Sequence, residues 1–144
     1  MNEMKSRILI DHTLIIHELE KSIKFHNWNF ILTFLPKGSY LVGGYIRDII
    51  LGRETEKVDV DIVVPLNAIE IGKKIAANIG SKFIILDKKR EVIRIILNDI
   101  YIDIANQVSS TIEEDLSSRD FSINSIAFLF DKRCLFDPLN GLKD

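Results

Sequence analysis

The run Val58-Asp59-Val60-Asp61-Ile62-Val63-Val64 limits what this chain can fold into more than any other segment. Alternate residues of a strand project from opposite faces. Val58, Val60 and Ile62 therefore form one apolar face, and Asp59 and Asp61 stand together on the other. Such a strand belongs in a sheet with one face packed and the other, at this point, open to water or a ligand. Two neighbouring carboxylates repel each other unless a cation lies between them, and their hard oxygen donors suit Mg²⁺ shared with substrate phosphates. An isolated Asp-x-Asp is more often a solvated strand face. The segment before it shifts the balance.

That segment is Gly43-Gly44-Tyr45-Ile46-Arg47-Asp48, which follows the short apolar stretch Tyr40-Leu41-Val42 and opens a helix over 45–51. Adjacent glycines let the backbone come close to a ligand. The helix they introduce aims free N–H groups and the positive end of its dipole at phosphate oxygens. Arg47 adds a charged fork, with Asp48 beside it. Taken alone, the glycines describe an ordinary strand-to-helix turn. Beside a carboxylate pair they describe a phosphate and metal site.

Around this centre, Ile10, Leu14, Ile15, Leu19 and Ile23 recur at helical spacing through 8–25, with Asp11 placed to cap the start. A second apolar segment at 28–35 ends at Pro36 and Gly38. Residues 66–79 predict a helix closed by Gly80. Strand-like runs at 83–86, 91–97 and 100–105, parted by polar turns at 87–90 and 98–99, predict a meander. Thr111 and Glu114 have the spacing of a capping box, so a helix starts there, and a last strand covers 126–130. Helices with a partly antiparallel sheet predict a single α+β domain. A length of 144 residues with 47% hydrophobic content is enough for one such core.

Within the meander, Ile100, Ile102 and Ile104 face the core and Tyr101 and Asp103 the other side, which makes Asp103 the candidate third carboxylate. Asp99 competes for that role from a turn. Three aspartates holding two metal ions would stabilise both the attacking and the leaving oxygen of an in-line phosphoryl displacement. Further on, Asp120 and Asn124 lie four apart, on one face of a helix, where a carboxylate and an amide can grip ribose hydroxyls while Arg119 pairs with phosphate.

Other chemistries find little support. A formal charge of -2 gives no positive field of the kind a self-sufficient RNA binder carries. Cys134 has no partner for an intrachain disulfide or a zinc site, and the N-terminus has no signal-peptide pattern, so a reducing, cytoplasmic setting is expected. No apolar run approaches the roughly 20 residues that span a bilayer. His12, His17 and His26 lack the four-residue spacing of a helical metal pair, and Lys88-Lys89-Arg90 marks a solvated hairpin tip. A P-loop lysine and a dinucleotide fingerprint are both missing.

Taken together, these residues resemble the class II tRNA nucleotidyltransferase and bacterial poly(A) polymerase family, whose head domain has the DNA polymerase β-like nucleotidyltransferase fold. Leu41 to Asp48, then Leu51-Gly52-Arg53, then Asp59-Val60-Asp61 are similar to the family's first signature in order and spacing. Glu114-Asp115-Leu116 with Arg119-Asp120-Phe121-Ser122-Ile123-Asn124-Ser125-Ile126-Ala127 is similar to the second. Asp137-Pro138 with Gly141 resembles the short motif that follows. The resemblance runs from about Leu32 onward and leaves residues 1–31 as a helical N-terminal extension of one head domain spanning 1–144.

The resemblance implies Asp59 and Asp61, with Asp103 third, as ligands of Mg²⁺, for which Mn²⁺ can substitute. It implies Gly43, Gly44, Arg47 and Asp48 around the triphosphate, and Arg119, Asp120 and Asn124 on the nucleotide. The implied reaction moves CMP or AMP from CTP or ATP to a tRNA 3′ end and releases pyrophosphate. The alternatives are a poly(A) polymerase head and a noncatalytic nucleotide-binding module. One departure is Ser118, where the family usually has the first of two arginines. Family members continue into helical neck, body and tail domains, and the neck reads the base. This chain is therefore expected to be a piece of a longer enzyme or one half of a split one, working with helical domains in cis or in trans.

Overall fold

The computed structural model describes residues 12–53, 57–117 and 125–138. Helix α1 spans His12–Phe25 and is followed by a 3-10 helix at Asn29–Phe34. Strand β1 (Tyr40–Val42) leads into helix α2 (Gly44–Leu51) and strand β2 (Val58–Val64). Helix α3 (Ala68–Ile79) precedes the meander of β3 (Lys82–Asp87), β4 (Val92–Leu97) and β5 (Ile100–Asn106). Helix α4 (Ile112–Ser117), β6 (Ala127–Leu129) and β7 (Cys134–Phe136) complete the described chain. The strands form one sheet in the order β3-β4-β5-β2-β1-β6-β7. Only β2 and β5 pair in parallel, so the sheet is mixed and the α+β expectation holds.

The alternation in β2 does what its side chains require. Val58, Val60, Ile62 and Val64 are buried against Ile93 and Ile95 of β4 and Ile102 and Ile104 of β5. Helices cover this face, with Ile15, Leu19 and Ile23 of α1 supplying one stripe four residues apart and Ala68 and Ile75 of α3 another. Burial of each such side chain stabilises the fold by about 1.5–3 kcal/mol. Trp28 is fully buried beside them. Its indole N–H donates to the Tyr45 hydroxyl at 3.3 Å, and its ring meets Tyr45 and Phe130 edge-on. Ser22 of α1 shares that hydroxyl at 2.6 Å. Residues 12–31 are therefore packed into the same core as the segment that carries the family signatures.

Helix α3 lies on β4 with very little clearance. A Cβ at Gly72 would stand 2.5 Å from Cγ2 of Ile93 and 2.9 Å from its Cδ1. Gly72→Ala is expected to cost about 1–3 kcal/mol through overpacking, although alanine is the better helix former. Urea unfolding checks this, and the double variant with Ile93→Ala, which removes both Cγ2 and Cδ1, should lose less than the sum of the two single changes.

The opposite face of the sheet is covered at one end. Ile112 and Leu116 of α4 pack there on Val42, Val63 and Ala127, with Tyr40 and Phe136 alongside. The start of α4 follows the capping-box expectation: the Glu114 N–H donates to Thr111 Oγ1 at 3.2 Å. Asp115, buried, accepts the Val108 N–H at 3.5 Å and ties down the loop entering the helix. Beyond this cap the same face carries Asp59, Asp61, Tyr101, Asp103 and Arg94. Among the described residues no helix is long and apolar enough to cross a membrane.

Candidate active site

Strand β1 ends against the acidic end of this face, because Val42 is the cross-strand partner of Asp61. The chain then turns at Gly43 with φ 79° and ψ -146°, a conformation essentially reserved for glycine, and α2 begins at Gly44. A Cβ on Gly43 would stand 3.2 Å from Oδ2 of Asp61. The Asp61 carboxylate thus lies against bare backbone at the amino end of α2, where the helix dipole favours negative charge. Gly43→Ala is expected to cost about 1–3 kcal/mol and to push Asp61 aside, lowering activity. Gly52→Ala is the control. Gly52 also has positive φ, at 65°, yet a Cβ there meets nothing within 4 Å, so stability falls by about 1–2 kcal/mol while activity stays. Thermal denaturation with parallel activity assays separates the two.

Parallel pairing of β2 with β5 puts Asp103 opposite Asp61 and Tyr101 opposite Asp59. Adjacent strands lie about 4.8 Å apart, so the three carboxylates share one patch of the sheet. Asp59 is exposed, whereas Asp61 and Asp103 are half-buried. Asp99 stays in the turn between β4 and β5, where its carbonyl accepts the Val58 N–H at 2.9 Å. Asp103, not Asp99, is the register partner of Asp61.

A residue that the sequence did not single out completes the patch. Arg94 on β4 pairs in register with Asp103, donating from Nε to Oδ1 at 2.8 Å and from Nη2 to Oδ2 at 3.0 Å. Its guanidinium lies over the Tyr101 ring, 5.2 Å from the centroid. The hydrogen bonds to Asp103 raise its pKa above the ordinary arginine value; partial burial works against this, and the charges of Asp103 and Asp59 add to the rise. The available signal was a single charge inside the otherwise apolar strand Val92-Ile93-Arg94-Ile95-Ile96.

At the head of α2, the Arg47 guanidinium folds back over Gly44, with Nη2 2.9 Å from where a Cβ would stand, and its Nε donates to Asp48 Oδ1 at 3.3 Å. Gly43, Gly44, Arg47 and Asp61 are thereby brought together. Asp48 also lines a cleft of about 510 Å³ between α1 and α2, shared with Glu18, Ser22 and Arg53. Arg119, Asp120 and Asn124, like Ser118 and Gly141, lie outside the described residues. Cys134 is exposed and unbridged, and Lys88, Lys89 and Arg90 are exposed in the β3–β4 turn.

The donor set fits a hard divalent cation of the open kind. Among the described residues, no three His, Cys, Asp or Glu side chains enclose an ion. Mg²⁺ seldom needs such a cage, since it keeps waters and is bound by one or two carboxylates together with substrate phosphates. Asp61 and Asp59 on an open face beside a helix amino end meet that requirement.

The Poly A polymerase head domain family matches residues 39–144, a stretch that contains the glycine turn, the carboxylate patch and the second signature. This chain belongs to that family. Its head is similar to the CC-adding tRNA nucleotidyltransferase of Synechocystis sp., 42% identical over 80% of this chain and 28% of that protein. The CC-adding tRNA nucleotidyltransferase of Geobacter sulfurreducens is 38% identical over 74% of this chain and 25% of its own. A solved CCA-adding enzyme in complex with CTP superposes with a TM-score of 0.75 at 30% identity, over 89% of this chain and 34% of that one. The chain thus spans roughly a quarter to a third of these relatives, and its polymerase β-like fold is that of their head domain. Family members of this kind are metal-dependent nucleotidyltransferases, which agrees with the open carboxylate face.

Proposed function

We propose that this chain is the catalytic head of a tRNA nucleotidyltransferase that transfers nucleoside monophosphate from CTP and ATP to a tRNA 3′ end, releasing pyrophosphate. The observation that carries the reading is Asp61, set against the bare backbone of Gly43 and in register with Asp103. A phosphate site and a carboxylate patch meet at that point. Asp59, Asp61 and Asp103 would hold Mg²⁺, which when bound would lower the pKa of the attacking 3′-hydroxyl and offset charge on the departing pyrophosphate. Gly43, Gly44 and Arg47 at the amino end of α2 take the triphosphate, with Asp48 holding Arg47 in place. By resemblance, Arg119, Asp120 and Asn124 complete the nucleotide site, and helical domains in cis or in trans supply base choice and the grip on tRNA. The setting is cytoplasmic.

CTP is the better supported first substrate, because both relatives above carry CC-adding names and the superposed enzyme was solved with CTP. Incubation of this head together with its helical domains, in cis or in trans, with tRNA lacking its 3′ CCA and with CTP, ATP or both, and resolution of products at single-nucleotide length tests the reading. Stepwise CMP addition is expected. A long adenylate tail from ATP with no CMP incorporation would replace it with poly(A) synthesis.

A further inference from the structure

The Arg94–Asp103 pair shares its two-pronged form with the more exposed Arg133–Glu20 pair and is set apart by its place in the acidic patch. Both ends sit on the open face of the sheet, and both guanidinium donors meet both carboxylate oxygens, at 2.8 and 3.0 Å. The side chains are 34% and 22% exposed, so the pair is partly shielded from water. Arg94 is itself held. It stands between the Tyr101 ring, on which it stacks, and the carboxylate it grips. Tyr101 is in turn the register partner of Asp59. One arginine therefore touches Asp103 directly and feels Asp59, while Asp61 stands beside Asp103 on the neighbouring strand.

We propose that Arg94 is a positioning residue for metal loading: its two-point grip fixes the plane of the Asp103 carboxylate so that this group, with Asp61, presents oxygens to a divalent cation. The inference rests on the metal-ligand reading of Asp59, Asp61 and Asp103. An ionised carboxylate offers about four acceptor directions, of which the guanidinium uses two, so each Asp103 oxygen keeps one. A planar fork sets both the rotation and the tilt of its partner, which a lysine's point charge cannot do. The same positive charge offsets the mutual repulsion of three aspartates in one patch before a cation arrives. Partners that orient a metal-ligating side chain in this way typically matter 10–100-fold in metal affinity.

The test is Mn²⁺ binding to the full chain in the presence of a non-hydrolysable CTP analogue, followed by electron paramagnetic resonance at low temperature. The wild type is compared with Arg94→Met, Arg94→Lys and Asp61→Ala. Arg94→Met is expected to weaken Mn²⁺ binding by about tenfold or more, Arg94→Lys to fall between it and the wild type, and Asp61→Ala to lose the site. A purely structural role would lower the melting temperature of Arg94→Met without changing the affinity of the folded protein. If Arg94→Met does not fold, Arg94→Lys carries the test. Wild-type affinity in whichever Arg94 variant folds, together with loss in Asp61→Ala, overturns the positioning role. Unchanged binding in Asp61→Ala overturns instead the carboxylate reading on which it rests.

Discussion

Asp61→Ala is expected to lower the rate of CMP transfer by about a thousandfold or more. A metal held at this position would supply several kcal/mol of transition-state stabilisation, and each 1.36 kcal/mol is a factor of ten in rate. Asp61 lies where three parts of the site meet: Val42 is its partner across one strand pair, Asp103 across the other, and the Gly43 backbone stands at its tip. Loss of the carboxylate should leave the fold intact, because the group is half-buried and sits among other acids. Single-turnover CMP transfer, with a melting curve to verify folding, measures the effect. A rate within about tenfold of the wild type, at saturating metal, would contradict the assignment.

Trp28→Ala should have the largest effect on stability, about 3–5 kcal/mol. The residue lies at 0% exposure among α1, α2 and the end of β6, edge-on to Tyr45 and Phe130. Truncation leaves a large cavity and takes one hydrogen-bond donor from the Tyr45 hydroxyl. A domain of this size has about 5–15 kcal/mol in all, so the melting temperature is expected to fall by about 10 °C or more. Trp28→Phe keeps most of the volume and should lose much less. A loss below about 1 kcal/mol in Trp28→Ala, by urea unfolding, would mean that α1 is not part of the cooperative core.

Much of this architecture was legible because strand and helix periods are strict. The alternation Val58-Asp59-Val60-Asp61 fixed both the face and the chemistry of β2, and Ile100-Tyr101-Ile102-Asp103 did the same for β5. Gly80 ended α3 in the left-handed conformation as expected, and Thr111 capped α4. What stayed hidden depends on neighbours distant in sequence. The segment at 28–35 became a 3-10 helix whose Trp28 is claimed by Tyr45, and β7 has only three residues, too few to show a period. Parallel pairing of β2 with β5, which sets Asp103 beside Asp61, cannot be read from either strand alone. Arg94 went unnoticed because its meaning is entirely in its partner: an isolated charge in an apolar strand gains a role only when Asp103 is found opposite.

On the proposed reading, the open carboxylate face at the head of α2 holds the metal and the nucleotide. The most direct measurement is paramagnetic broadening in the isotopically labelled chain on addition of Mn²⁺ with CTP, which needs no turnover. The amide signals of Val42, Gly43, Gly44, Asp61, Tyr101 and Asp103 should broaden first, while those of α1 and the 88–91 turn remain sharp. Broadening centred away from these residues, or the same pattern in Asp61→Ala, would place the metal elsewhere.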